Sequence, residues 1–286
     1  VAQLSSRSVP YHPKPHQKFD TICLIYCSLV ALFILGLIAV CQYAALIKLW
    51  PYNLTLGLSN YNFDVMDGGG WASYRNSIKM AFLTALCGTV IVFSGAYMVE
   101  KTKSFQFARS GFQFLAMMPM AIPGMVLGLA YIFFFNEPTN PFNTIYGTMV
   151  ILVICTVTHF YTVSHLTSLT ALKQIDPEFE AIASSLKQPF YRLFSKVTVP
   201  VCMPTILDIS IYFFVNAMTT VSAVIFLYSP DTTLASVAVM NMDDAGDIAP
   251  AAAMGMMIFY TNVFARLLHL FLTRNIKRQT QAWRKN

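Results

Sequence analysis

Six long apolar stretches constrain this chain more than any other feature. They cover about residues 21–47, 78–99, 111–135, 144–170, 201–228 and 251–273, and each is bounded by charged residues, proline or glycine. About 20 apolar residues in a helix cross the hydrocarbon core of a bilayer. Because unpaired backbone groups are costly in lipid, such stretches predict helices. We therefore expect an all-α polytopic membrane protein with six transmembrane helices.

The composition supports this class. Hydrophobic residues make up 56% of the 286 positions and charged residues only 11%, which leaves too little polar surface for an ordinary soluble domain. The basic residues form no stripe interleaved with aromatic residues, so a nucleic-acid partner is not expected. The cysteines show no CxxC pair and are interpreted as small hydrophobic residues within the apolar stretches: Cys23, Cys27, Cys41, Cys87, Cys155 and Cys202.

The distribution of Lys and Arg predicts the orientation. Six spans place both termini on one side, and 15 of the 19 basic residues lie on that side, whereas most acidic residues lie on the other. Positively charged loops remain in the cytoplasm, so both termini are predicted to be cytoplasmic. The expected organisation is a cytoplasmic N-terminal tail (1–20), a transmembrane domain (21–274) with a cytoplasmic loop at 171–199, and a basic C-terminal tail (275–286). The first apolar stretch is too long for a cleavable signal and is expected to remain as a span.

Two outer loops, 48–77 and 229–250, are long enough to carry structure. The triple glycine at 68–70 lacks the following Lys-Ser or Lys-Thr of a phosphate-binding loop. The acidic cluster at 243–247 could bind calcium, but it lacks the ligand spacing of an EF-hand, and a solvated turn is the favoured interpretation. No metal site is expected.

The cytoplasmic loop is the most informative polar segment. Asp176, Pro177 and Glu178 are typical of a helix start, because Asp caps free backbone amides and Pro is favoured in the first turn. Pro189 separates two apolar stripes with helical spacing, which predict two short helices at the membrane surface. The stripes are Phe179, Ile182, Ala183 and Leu186, then Phe190, Leu193, Phe194 and Val197. Taken alone, this pattern also fits a simple amphipathic connector.

The order of residues in this loop resembles a known family. E-A-I-A-S-S-L at 180–186, followed by F-S-K-V-T-V-P at 194–200, is similar to the E-A-A loop of permease subunits of type I ABC importers. The resemblance extends over nearly the whole chain and includes M-P-M-A-I-P-G-M-V-L-G at 118–128. Through segments 121–136 and 216–230, the chain resembles permeases for 2-aminoethylphosphonate most closely and ferric-iron permeases more distantly. The resemblance implies a MetI-like permease fold.

In that family the loop docks into a cleft of a cytoplasmic ATPase. The resemblance implies apolar contacts from Phe179, Ile182, Leu186 and Phe190 and polar contacts from Glu180 and Arg192. Two positions depart from the family pattern: Ala181 occupies the usual glutamate position, with Glu180 one residue early, and Lys187 replaces a glycine that permits a turn with positive φ. The complete set assigned to ATPase coupling is Phe179, Glu180, Ala181, Ile182, Ala183, Leu186, Lys187, Pro189, Phe190 and Arg192.

The chain carries no motif for hydrolysing ATP, so it is not expected to be an enzyme or to bind a cofactor itself. The resemblance implies a bacterial inner-membrane location and three protein partners. These are a cytoplasmic ABC ATPase dimer that holds ATP and Mg²⁺, a periplasmic substrate-binding protein, and a second permease subunit, identical or different.

Several polar or helix-breaking residues within the spans are candidates for the translocation pathway, since polar groups facing lipid are costly. They are Pro119, Pro123, Gly124, Gly128, Asn216, Thr219 and Thr220. For the proline and glycine residues, a kink that serves packing is an equal alternative. Asn216 and Thr220 are expected to share a helix face. Asp208 and Arg266 lie at similar depths and are predicted to form a structural ion pair.

A second hypothesis is an ion-coupled secondary transporter, in which Asp208 and the histidines His159, His165 and His269 carry protons. Lone histidines in helices more often hydrogen-bond to a neighbour. Such transporters often contain inverted repeats, and no second copy of the 119–128 pattern occurs. The substrate expected from the resemblance is an aminophosphonate, with ferric iron as the alternative.

Overall fold

The computed structural model describes residues 16–49, 52–66, 68–102 and 105–280. The helices are α1 Gln17–Leu46, α2 Gly70–Lys101, α3 Gln106–Met117, α4 Gly124–Phe135, α5 Met149–His159, α6 Tyr161–Lys173, α7 Glu178–Ser185, α8 Phe190–Leu193, α9 Val199–Thr219, α10 Ala235–Asp244 and α11 Ile248–Thr280. Strands β1 Ile47–Leu49 and β2 Asn53–Leu56 form a small antiparallel hairpin. Most of the predicted N-terminal tail and the end of the C-terminal tail lie outside the described residues, as do Lys103 and Asp67.

The membrane class and the helical fold predicted from the sequence are confirmed. In the described part of the chain, four helices are long and apolar enough to span a bilayer: Gln17–Leu46, Gly70–Lys101, Phe190–Thr219 and Ile248–Arg274. Two bent pairs, Gln106–Ala121 with Gly124–Phe135 and Met149–His159 with Tyr161–Lys173, bring the number to six if each pair counts as one span.

The third predicted span is broken rather than continuous. Its two halves meet at an angle of 113°. Pro119 lies in a 3-10 turn, Ile122 is extended with ψ 121°, and Pro123 precedes the first residue of α4. A proline lacks the amide hydrogen of a continuous helix and disfavours the helical conformation of the preceding residue, which explains the break at Ile122.

The fifth predicted span ends earlier in the chain than expected. It ends at Thr219 instead of Tyr228, and Thr220 is extended with ψ 135°. The Thr220 carbonyl accepts a hydrogen bond of 2.7 Å from Ser236 Oγ near the start of α10, so this group is satisfied outside the helix. The Thr220 amide still donates to the Asn216 carbonyl at 2.9 Å, so Thr220 lies one turn above Asn216 and caps the helix.

Helix α2 lies at the centre of the fold. It packs against α9, α6 and α5, whereas α11 packs against α1, α9 and α10. Small residues permit the close approach of α9, since a Cβ atom on Gly88 would lie 3.0 Å from the ring of Phe213. Helix α1 is at the periphery with nearly all its apolar side chains exposed, as suits a helix that faces lipid.

Candidate functional site

The cytoplasmic loop contains the predicted pair of short helices. Asp176 Oδ1 accepts a hydrogen bond of 3.0 Å from the backbone amide of Glu178, which caps the first turn of α7. Pro189 lies immediately before α8. From α8 the chain continues through a π-helical turn, Phe194–Thr198, directly into α9. The second half of the loop is thus a continuous extension of α9.

Lys187 adopts the conformation for which the related family uses glycine. Its φ is +50°, in the left-handed region. The Lys187 amide donates to the Ser184 carbonyl at 3.0 Å, and the Gln188 amide donates to the Ala183 carbonyl at 2.9 Å. This pair of bonds is the Schellman arrangement that ends many helices. The turn between α7 and α8 therefore forms without glycine.

The loop carries several exposed apolar side chains. Leu186 is 64% exposed and Phe190 is 71% exposed. Phe179 and Ile182 are also exposed, as predicted for a docking surface, whereas Ala183 and Pro189 are half-buried. Sequence reasoning missed one member of this surface, Tyr191, which is 57% exposed beside Phe190.

Glu180 has a partner within the chain. Its Oε1 lies 2.6 Å from Lys101 Nζ at the end of α2, and both side chains are largely buried. Phe194 reinforces this junction, because its ring centroid lies 4.7 Å from that of Tyr97. The Arg192 guanidinium donates to Gln188 Oε1 at 3.1 Å. Of the two polar residues expected to contact an ATPase, Glu180 instead joins the loop to α2.

The glycines of the third span lie at a close helix contact. A Cβ atom on Gly124 would lie 2.5 Å from Ser222 Oγ, and one on Gly128 would lie 2.9 Å from the Ala223 carbonyl oxygen. Both glycines are buried, whereas Pro119 is half-buried and Pro123 is exposed. The glycines allow α4 to pack against the turn that follows α9.

A polar groove of about 650 Å³ runs between α6, α9 and α11. Its polar lining consists of Ser164, Thr167, Asp208, Tyr212, Asn216, Asn262 and Arg266. A second cavity of about 370 Å³, lined in part by Thr170, Gln174 and Thr205, shares Thr167 and Asp208 with the first. Together they form a polar track along α6 and α9.

Asn216 is the pathway candidate that the structure brings to this groove. Thr219 instead bonds through its hydroxyl to the Val215 carbonyl of its own helix at 3.1 Å. Sequence reasoning missed the polar members of α6, although Ser164, Thr167 and Gln174 recur at intervals of three and seven residues. That helical spacing is the signal that would have identified them.

Asp208 does not pair with Arg266 in the described part of the chain. Its Oδ1 instead lies 3.0 Å from Nε2 of His269. The Thr273 hydroxyl lies 3.2 Å from the same nitrogen. His269 is three residues beyond Arg266 on α11 and is largely buried, so it meets the carboxylate from the side of the helix interface. The predicted ion pair is therefore replaced by an Asp208–His269 contact, and Arg266 lines the groove.

The other two histidines lie among aromatic rings. His165 is buried and stacks on Tyr161 at 5.5 Å, and His159 meets the ring edge of Phe160 at 4.6 Å. Over the described ranges, no group of three or more His, Cys, Asp or Glu side chains is placed to hold a metal ion.

Comparisons with known proteins agree with this arrangement. The family described as "Binding-protein-dependent transport system inner membrane component" matches residues 91–278. The chain is 33% identical over 213 residues to the ferric transport system permease protein FbpB of Actinobacillus pleuropneumoniae, covering 72% of this chain and 30% of that protein. It is 27% identical over 253 residues to the putative 2-aminoethylphosphonate transport system permease protein PhnV of Salmonella typhimurium strain LT2, covering 85% of this chain and 89% of that protein. The chain thus spans less than a third of the ferric relative.

Two solved structures share the fold. A chain of a bacterial alginate ABC transporter, in complex with an alginate pentasaccharide-bound periplasmic protein, superposes with a TM-score of 0.69 at 17% identity, covering 92% of this chain and 97% of that one. A chain of the MetNI methionine ABC transporter in an inward-facing conformation superposes with a TM-score of 0.58 at 10% identity, covering 71% and 94%.

Proposed function

Because the chain belongs to the family of binding-protein-dependent transport system inner membrane components, we propose that it is the permease subunit of an ATP-driven importer and forms the substrate pathway. The matched residues 91–278 include both the cytoplasmic loop and the polar groove. The chain is a multi-pass inner-membrane protein, and its relatives are named as permeases rather than enzymes. In this proposal ATP and Mg²⁺ bind to a separate ATPase dimer.

The observation that carries the proposal is the exposed apolar surface formed by Phe179, Ile182, Leu186, Phe190 and Tyr191. Exposed apolar patches mark interaction sites. The surface lies on a loop continuous with α9 and joined to α2 by the Lys101–Glu180 ion pair. An ATPase docked there would push directly on two transmembrane helices.

The polar groove is the proposed translocation pathway of this subunit. Charged and amide side chains within a span are costly in lipid and mark ligand routes or buried pairs. The outer ends of α2 and α10 would meet a periplasmic binding protein, and a second permease subunit would enclose the groove. Both termini are proposed to be cytoplasmic, as the excess of Lys and Arg on that side favours.

We propose 2-aminoethylphosphonate or a related phosphonate as the substrate. The support is the near end-to-end match to the putative 2-aminoethylphosphonate permease, which covers 89% of that protein. Ferric iron is the second candidate, because the ferric permease shows the higher identity of 33%. For either substrate, the family match favours an ATP-driven permease over an ion-coupled secondary transporter.

Growth assays distinguish these substrates. The chain and its neighbouring transport genes are expressed in a bacterium that lacks phosphonate uptake, with 2-aminoethylphosphonate as the only phosphorus source. The proposal predicts growth with the wild-type chain and none with a Leu186→Asp, Phe190→Asp variant of equal abundance. Growth only in a parallel assay for ferric iron would transfer the assignment to iron. Growth of the docking variant on 2-aminoethylphosphonate would contradict ATPase coupling.

A further inference from the structure

The polar groove contains buried polar atoms that have no partner within the described residues. Ser164 is 1% exposed, and its hydroxyl oxygen makes no hydrogen bond. The buried Oδ1 atom of Asn262 makes no hydrogen bond either. Both residues line the groove. A buried polar atom without a partner costs about 1–3 kcal/mol. Both atoms belong to residues that line one cavity, so a polar ligand bound there could complete their bonding.

The same groove carries both signs of charge. The Asp208 side chain is 50% exposed, Arg266 is exposed, and both line the cavity. No ion pair joins them in the ranges that the structure describes, although mutual neutralisation would lower the cost of placing charges within a membrane span. Each charge therefore remains accessible to a ligand from the groove.

A contact from outside the polar groove holds the Asp208 carboxylate in place. His269 contacts its Oδ1 at 3.0 Å and lines an apolar cleft on the other side of the α9–α11 contact, together with Leu207 and Leu268. His269 is thus a positioning residue that restrains the carboxylate from outside the polar groove. A carboxylate fixed in this way presents a defined acceptor to a ligand.

We propose that this groove is a binding subsite for a small zwitterion that carries one oxyanion and one primary ammonium group. Arg266 binds the oxyanion, since a guanidinium offers planar paired donors that match phosphonate, phosphate or carboxylate oxygens. Asp208, with the acceptors Asn262 Oδ1 and Ser164 Oγ, binds the ammonium, which has three donors and no acceptor. The volume of about 650 Å³ is within the range of small-molecule sites.

This inference rests on the proposed function and adds to it a selectivity within the membrane domain. The second cavity meets the groove at Thr167 and Asp208 and extends towards Gln174 at the end of α6. A ligand released from the subsite would therefore pass along the polar side chains of the second cavity towards Gln174.

Equilibrium binding tests the subsite without the binding protein. The permease in complex with its ATPase is placed in nanodiscs, and ethylphosphonate, which lacks the amine, and ethylamine, which lacks the oxyanion, compete with radiolabelled 2-aminoethylphosphonate. We expect the zwitterion to bind at least about tenfold more tightly than either competitor. Asp208→Asn should abolish the preference over ethylphosphonate, and Arg266→Gln the preference over ethylamine. Ser210→Ala, which alters the apolar side of α9, should change neither.

A second variant keeps the subsite testable if the first one misfolds. If Asp208→Asn lowers the folded yield, Asn262→Ala should weaken zwitterion binding severalfold and leave ethylphosphonate binding unchanged. The headgroup of phosphatidylethanolamine carries the same two charges, so binding is also measured in nanodiscs with and without this lipid. Loss of 2-aminoethylphosphonate binding when the lipid is present would assign the groove to the lipid headgroup. Equal binding of all three compounds would overturn the subsite, while cellular uptake of 2-aminoethylphosphonate would still support the proposed function.

Discussion

At the scale of single residues, Lys187 carries a conformational cost for the shape of the cytoplasmic loop. A left-handed conformation costs an ordinary L-residue roughly 1–2 kcal/mol, whereas glycine adopts it readily. Lys187 has φ +50° and its side chain is exposed. The hydrogen bonds that end α7 maintain this conformation, so the backbone geometry is the same as a glycine would give.

Replacing Lys187 with glycine should therefore stabilise the end of α7. We expect Lys187→Gly to increase the local opening free energy by about 1 kcal/mol, which slows exchange of the α7 amides about fivefold. Hydrogen–deuterium exchange measures this effect. Gln188→Gly is the matched control and should accelerate exchange, because Gln188 is outside the left-handed region. Faster exchange in Lys187→Gly would contradict the conformational argument.

The polar residues show what the sequence could and could not predict at this scale. Asp208 and Arg266 lie on α9 and α11, which pack together, but the predicted pair does not form, because His269 lies one helical turn beyond Arg266 and contacts the carboxylate instead. The partner of Glu180, Lys101, is 79 positions away in the chain. Hydrophobic periodicity carries no information about such distant contacts.

At the scale of elements, α2 connects the two surfaces of the membrane domain. Its C-terminal end binds the loop through Lys101 and Glu180. Towards its other end, the Asp64 carboxylate accepts a hydrogen bond of 3.2 Å from the Trp71 amide, and the Ser77 hydroxyl accepts one of 2.7 Å from the Ala235 amide. We expect displacements of the loop to reach the outer segments through this helix.

Charge reversal tests the inner end of this connection. Lys101→Glu and Glu180→Lys should each place like charges together and lower transport more than ATP hydrolysis. The double variant that exchanges the two charges should restore transport, with a coupling energy of about 1 kcal/mol in the double-mutant cycle. Transport and ATPase rates in proteoliposomes measure both effects. An exchanged variant no better than the single variants would exclude a specific role for the pair.

The close contact of α4 with the turn after α9 gives a further prediction. Gly128→Ala would place a Cβ atom 2.9 Å from a backbone oxygen, which cannot rotate away, and should destabilise the protein by about 1–3 kcal/mol. Gly255→Ala in α11 is the control, because a Cβ atom there has no neighbour within 4 Å. Thermal unfolding in detergent compares the two. Equal midpoints for both variants would show that the contact is looser than the structure indicates.

The sequence predicts which segments form helices better than it predicts where those helices break or end. The six apolar stretches identified the spans because lipid imposes a length and a polarity on any helix that crosses it. The break at Pro123 follows from the proline itself, whereas the end of α9 at Thr220 is accompanied by a bond to another segment, from Ser236 to the Thr220 carbonyl. Such tertiary partners decide where a helix ends, and the apolar run at 201–228 gives no sign of them.

At the scale of the whole molecule, we propose that this permease subunit transmits ATP-driven movement from the loop to the polar groove. The exposed apolar surface is at the tip of the cytoplasmic loop, and the Asp208 and Arg266 side chains lie between α9 and α11. The resemblance identified in the loop sequence and the family match over residues 91–278 agree on this role. We propose that selectivity for the substrate depends on a few polar side chains on α6, α9 and α11.

The cytoplasmic loop is proposed to dock an ATPase. The most direct test of this proposal is co-purification of the detergent-solubilised chain with its ATPase, comparing the wild type with a Leu186→Asp, Phe190→Asp variant and with a Tyr52→Asp control at another exposed aromatic residue, 87% exposed. We predict that the wild type and the control retain the ATPase and that the loop variant, equally folded, loses it. If the loop variant retains the ATPase, or if the folded wild type does not bind it, the loop is not the docking site.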